Sequence, residues 1–229
     1  MKNTKKKVLV GALVVSLAAI ISMGTIAWFS ASDKVENKFQ IASSKDDPNA
    51  TFSIDVWEEF PNPADPNNPI REDGGHEYDN VMPGDELDKD VFVKNTGMSD
   101  QYVRVTVTVT EGVAWRAMLG ITSGVPDLTS IVRGLNTTDF TVASTSYDSN
   151  ADAFVYTLYA NDILKPTDDK KQIFTDVKVP DNVTKEIAAS FDGNFNVNVV
   201  ADAVQTANLG DGLSGWQAAA AAFNTVENS

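Results

Sequence analysis

VMPGDELDKDVFVKNTGMSDQYVRVTVTVT, residues 81–110, is the stretch that decides the fold. Near its end Val103, Val105, Val107 and Val109 alternate with Tyr102, Arg104, Thr106 and Thr108. Successive side chains of a strand point to opposite faces, so the valines are expected in a core and their neighbours outside it. Upstream, Met82-Pro83-Gly84-Asp85 signals a turn, because proline sets φ at the first central position and glycine accepts a positive φ at the second. A hairpin partner is expected after that turn, with a short strand over residues 90–95 and a second turn at Asn95-Thr96-Gly97.

Working outward, residues 51–57 alternate in the same way, with Phe52, Ile54 and Val56 on one face and Ser53 and Asp55 on the other. Trp57 falls on the polar face, which makes it a candidate for a subunit contact. Residues 58–80 are rich in Pro, Asp, Asn and Gly and read as a long exposed loop or a ragged hairpin. GVAWRAML, residues 112–119, spaces Trp115 and Leu119 as i and i+4 and predicts a short helix in a crossover loop. Further strands are expected at 138–147, 153–159, 173–179 and 195–203, while 185–190 fits strand or helix. The Ala-rich residues 216–223 predict a helical turn or two. Trp115 and Trp216 are expected to be packing residues. About seven or eight strands without a βαβ rhythm predict an all-β fold, a β-sandwich with short helical insertions, as one domain over residues 44–229.

The N-terminal end has a different character. Residues 1–7 are basic and residues 8–27 are apolar apart from Ser16, Ser22 and Thr25, with small residues Thr25 and Ala27 ahead of a polar tract. This is the pattern of an export signal over residues 1–27, cut after Ala27 to leave Trp28 as the new N-terminus. The apolar run is long enough to span a bilayer, so an uncleaved anchor is the alternative. After the cut the membrane would no longer hold the chain.

Charge and composition narrow the function classes. The chain has 32 acidic and 18 basic residues, a net of −14. Residues 1–27 hold four of the lysines and no acid, so the remainder carries 14 basic against 32 acidic groups, or −18. Such a surface repels nucleic acid and anionic lipid, and self-assembly is expected to respond to pH or divalent ions. Cysteine is absent, which removes disulfides, thiol catalysis and thiolate metal sites. The single histidine, His76, begins a His76-Glu77-Tyr78-Asp79 run that lacks the second histidine of a zincin helix. A zinc site would need carboxylate ligands in place of histidines. Acidic loop residues Asp46, Asp47, Asp65 and Glu72 offer hard oxygen ligands, with Asp73, Glu77 and Asp79 the candidates for Ca²⁺. The other reading of these acids is as solvated loop charges, and no EF-hand spacing is present. No catalytic or cofactor-binding residue stands out, and the chain does not read as an enzyme.

GTIAWFSASDKVENKFQIAS, residues 24–43, resembles the signal and mature start of the TasA/camelysin family, and residues 81–110 resemble that family's P-G-D turn, strand, N-x-G turn and long strand. The resemblance implies a jelly-roll-like sandwich, cleavage near Ala27 by a SipW-type signal peptidase, and a secreted subunit of extracellular biofilm matrix fibres on a Gram-positive cell. The expected partners are copies of the same chain, with an accessory fibre subunit as a further possibility. Some relatives are described as surface metallopeptidases, so a camelysin-like peptidase is one alternative. A surface adhesin or binding module is another.

Residues 28–43 form the mature N-terminal segment and the candidate donor strand. A sandwich has edges with unpaired backbone groups, and a strand from a neighbour satisfies them. Extended, residues 28–41 reach on the order of 40 Å, enough to enter an adjacent subunit. Trp28, Phe29, Val35, Phe39 and Ile41 are the expected anchors. Pairing of the same segment within its own chain is the alternative, since it satisfies the same edge.

Overall fold

The computed structural model describes residues 30–34, 52–73, 78, 81–181, 183, 195–206, 209–210 and 212–228. Its strands are β1 (Ser30–Lys34), β2 (Ile54–Phe60), β3 (Ile70–Glu72), β4 (Glu86–Asn95), β5 (Gln101–Thr110), β6 (Val132–Arg133), β7 (Phe140–Asp148), β8 (Ala153–Ala160), β9 (Lys171–Lys178) and β10 (Val197–Gln205). Helix α1 (Gly112–Leu119) follows β5, and α2 (Gly215–Glu227) ends the fold. The strands form two antiparallel five-stranded sheets, ordered β1-β10-β5-β8-β7 in sheet A and β3-β2-β4-β9-β6 in sheet B. One apolar core lies between them, so the chain is an all-β sandwich with short helical insertions.

The valine alternation does what its period requires. Val103, Val105, Val107 and Val109 are all 0 % exposed. Each contributes about 1.5–3 kcal/mol of transfer free energy. β5 is paired along both sides, with β10 and with β8. In sheet B, β4 pairs with β9; the chain then crosses, and β5 pairs with β8 in sheet A. A two-strand ribbon therefore passes from one sheet to the other, which is the jelly-roll-like trait of this fold.

Buried amides pin the crossing. Asn95 donates from Nδ2 to the carbonyls of Ser99 and Leu164, both at 2.8 Å, and its Oδ1 accepts from Gly97 N at 2.9 Å. Gln101 donates from Nε2 to the Ser53 carbonyl at 2.8 Å. A Cβ on Gly97 would lie 2.7 Å from the Ser53 backbone nitrogen, so the close approach of these two segments requires glycine.

At the earlier turn, Asp85 N donates to the Met82 carbonyl at 3.1 Å and Gly84 has φ +88°, the geometry of a type II turn. The turn leads into β4. The expected hairpin is replaced by longer-range pairing, because β4 takes β2 and β9 as its partners. The ragged hairpin expected within residues 58–80 is the one formed by β2 and β3, where Glu58 lies opposite Glu72.

Both helices cover apolar surface. Trp115 of α1 is fully buried and meets Phe195 edge-on at 5.2 Å between ring centres. The start of α1 is held by Asp152, whose carbonyl accepts from Gly112 N and whose Oδ1 accepts from Val113 N. Helix α2 is longer than its Ala-rich core suggested. It lays Ala219, Ala222 and Phe223 against Tyr159 and Val204 on the outer face of sheet A. Trp216 is half-buried in the same cluster.

Trp57 is not a free contact residue. It is 5 % exposed, stacks on Phe92 at 6.0 Å, and carries the Arg71 guanidinium 4.3 Å above its ring. Its Nε1 donates to Glu59 at 2.9 Å, and Arg71 is held by Asp55 at 2.5 Å and Asp73 at 2.7 Å. Trp57 is thus closed over by its own chain.

Candidate functional site

The edge of sheet A formed by β1 and β10 is the place where the sequence expectation and the fold meet. β1 runs antiparallel to β10, with Ser30 opposite Val204, Ala31 opposite Ala203, Ser32 opposite Asp202, Asp33 opposite Ala201 and Lys34 opposite Val200. Residues 30–34 therefore pair within their own chain in this structure. The expected anchors Trp28, Phe29, Val35, Phe39 and Ile41, and the expected cleavage residue Ala27, lie outside the described residues.

This seat is narrow. Among the described residues β1 is five residues long and has β10 as its one partner strand, whereas β10 is nine residues long and has β5 on its other side. Ala201 and Ala203 are 0 % exposed and belong to the core row with Val105 and Val103. Their partners in β1 are Asp33 and Ala31. The sequence of β1, SASDK, contains no large apolar residue.

The outer row at this edge is built more firmly. Arg104 of β5 pairs with Asp202 of β10 at 3.1 Å and with Glu227 of α2. The same guanidinium lies 4.4 Å from the Phe223 ring centre. One side chain thus ties β10, β5 and α2 together.

No group of three side chains able to hold a metal ion occurs among the described residues. Of the Ca²⁺ candidates, Asp73 holds Arg71, while Glu77 and Asp79, together with His76, lie outside the described residues. Asp65 accepts from Asn67 N at 3.2 Å and so orders its own loop. An open cleft of about 520 Å³ beside the β8–β9 connection alternates acids with lysines, Asp139, Asp162 and Asp168 against Lys165, Lys170 and Lys171. Lys171 is bound to Asp139 at 3.0 Å, and that hydrogen bond holds its ammonium above the usual lysine range. Asp169 lines the same cleft, and Lys170 is paired with Glu59 of β2.

Two clusters escaped the sequence reading. Glu58, assigned to a loop from composition, is 0 % exposed in β2 and pairs with Lys89, which is 7 % exposed where β4 bulges against β9. The partners are 31 residues apart, so no local pattern links them. Burial, then the nearby Glu58 charge, pushes the Tyr78 hydroxyl above its usual range, which keeps it protonated. On the same sheet Asp88 is raised by burial and by Asp176. Asp90 is raised by burial and by Asp88, Asp176 and Glu59, against a lowering bond from Gln172.

Comparison with protein-family models, with curated proteins and with solved structures finds no match to this chain.

Proposed function

We propose that the chain is a secreted structural subunit of extracellular biofilm matrix fibres, cut after Ala27 by a SipW-type signal peptidase and assembled by passing its N-terminal strand to a neighbour. The observation that carries this reading is the short, singly paired β1 on the β10 edge. A strand with these properties exchanges between copies without loss of backbone pairing, because the neighbour's copy makes the same ladder. Nineteen residues, 35–53, join β1 to β2, a length on the order of 60 Å when extended. That reach lets β1 leave its own body and enter another. A contact of this kind is heterologous and does not close, so repetition gives a filament. Before cleavage a membrane-held N-terminus would withhold the strand. Removing residues 28–39 from the secreted form tests the reading. Folded monomers and no fibres in electron micrographs are expected, and normal fibres from that variant would overturn it.

A further inference from the structure

Among the ion pairs of the described residues, Lys89 with Glu58 is the one shut away from water. Their side chains are 9 % and 0 % exposed, whereas every other pair has a partner at least 23 % exposed. Glu58 lies opposite Val91 in the β2–β4 ladder, and Lys89 is two residues from Val91, so the two side chains are diagonal neighbours on adjacent strands. The bulge brings Lys89 to this place. Lys89 and Asp90 of β4 together oppose Thr175 of β9, between the Asp88–Asp176 and Val91–Phe174 register pairs, and a bulge re-aims the side chains it carries. Lys89 Nζ donates to Glu58 Oε1, while Glu58 Oε2 is buried and has no hydrogen-bond partner among the described residues. On the other side of β2, Glu72 lies directly opposite Glu58, an arrangement of like charges that weakens a strand pair.

We propose that Lys89 and Glu58 condense to an intramolecular isopeptide bond that joins β4 to β2 covalently. Nζ of Lys89 forms a bond to Cδ of Glu58, and the bond from Cδ to one carboxylate oxygen breaks. The three ammonium protons account for the balance. One passes to the carboxylate, which leaves an amine beside a carboxylic acid, and a second follows as nitrogen attacks. The departing oxygen takes both as water, and the third proton stays on the amide nitrogen. Nothing is oxidised or reduced, and no further reactant enters.

The site favours this outcome in three ways. The strand ladder holds nitrogen against the carboxyl group, so the entropy of bringing the reactants together is already met. A buried ion pair loses the solvation of both charges, and the amide carries none, so a dry site shifts the balance from ions toward amide and released water. Burial, then the Glu58 charge, keeps the Tyr78 hydroxyl protonated, and this donor lies within electrostatic reach of the carboxyl group, where negative charge develops in the tetrahedral intermediate. Condensation also removes the Glu58 charge that faces Glu72. The chain has no cysteine and so no disulfide to brace it. A bond between partners 31 residues apart closes a loop and constrains the unfolded chain as a disulfide would. It braces the body of the sandwich and does not depend on strand exchange at β1.

The test is the intact mass of the purified, folded protein after prolonged incubation, with its N-terminus identified so that the sequence mass is known. Most chains are expected to lose the mass of one water. A tryptic digest is expected to give a branched peptide, uncut after Lys89, whose fragments join residue 58 to residue 89. Lys89→Arg keeps a cation beside Glu58 without the amine nucleophile, and it is expected to show its full sequence mass. Wild-type protein that retains its full mass overturns the proposal and leaves an ordinary ion pair. A water lost equally by the wild type and by Lys89→Arg also overturns it, as does a loss that fragmentation places elsewhere. If Lys89→Arg does not fold, the wild-type digest decides: the branched peptide supports the bond, and separate peptides overturn it.

Discussion

β5 and β1 lie one strand apart in the same sheet, both antiparallel to β10, and they are held by different means. β5 has ten residues, two partner strands and four valines sealed in the core. β1 has five residues, one partner strand among the described residues, and Asp33 and Ala31 in register with core-row alanines. Four sealed valines and two flanking strands fix β5, whereas β1 pairs with β10 along one side and lies close to β2 of the other sheet. The strand-exchange proposal requires β1 to be the more easily displaced of the two.

The largest break in this comparison is a charge placed in each strand. Val107→Asp buries an unpaired carboxylate between the sheets and is expected to cost several kcal/mol, enough to abolish the cooperative thermal transition in circular dichroism. Ala31→Asp puts the same group into β1, where a loss of about 0.5 kcal/mol or less is expected, with the melting curve nearly unchanged. Equal losses at the two sites would mean that β1 is as firmly seated as β5.

A smaller effect sharpens the contrast among central strands. β4, like β5, is paired on both sides, yet its bulge brings Asp88 and Asp90 close to Asp176. Both groups titrate above their ordinary value of 3.8 in the folded chain. The folded state therefore holds protons more tightly than the unfolded one, and ionisation is destabilising. That penalty is absent below the unfolded value, grows as pH rises through the folded values, and is complete above them. Asp88→Asn is expected to raise stability at pH 7 by a few tenths of a kcal/mol, in the range of exposed charge interactions, with the gain vanishing near pH 4. Denaturant melts at the two pH values measure this, and a gain that is constant or larger at pH 4 would contradict the assignment.

What the sequence revealed depended on whether a residue's neighbours were local. Val103 to Val109 declared their strand because the period of two lies within the segment itself, and Trp115 and Leu119 declared α1 in the same way. Trp57 was assigned to an open polar face, since the covering Arg71 arrives from β3 across a Pro-rich loop that carries no periodic signal. Glu58 looked like the start of that loop; its partner Lys89 is brought to it by a bulge that no pattern announces. β6 has two residues, too few for any alternation to register. That the segment 28–43 would reach a sheet edge, in its own chain or in a neighbour's, was legible in the sequence, and residues 30–34 do so in their own chain. The seat on β10 was not legible, because the pairing joins residues near 30 to residues near 200.

The central claim is that β1 fills the β10 edge of another copy. The chain contains no cysteine, so introduced thiols report pairing without background. Ala31 and Ala203 are directly opposed in the β1–β10 ladder. Ala31→Cys chains and Ala203→Cys chains, each carrying a different tag, are mixed, assembled and oxidised, then separated on a non-reducing gel. Strand exchange predicts a heterodimer bearing both tags as the dominant cross-linked product. Fibres that form normally from the same mixture and give no such heterodimer would contradict it.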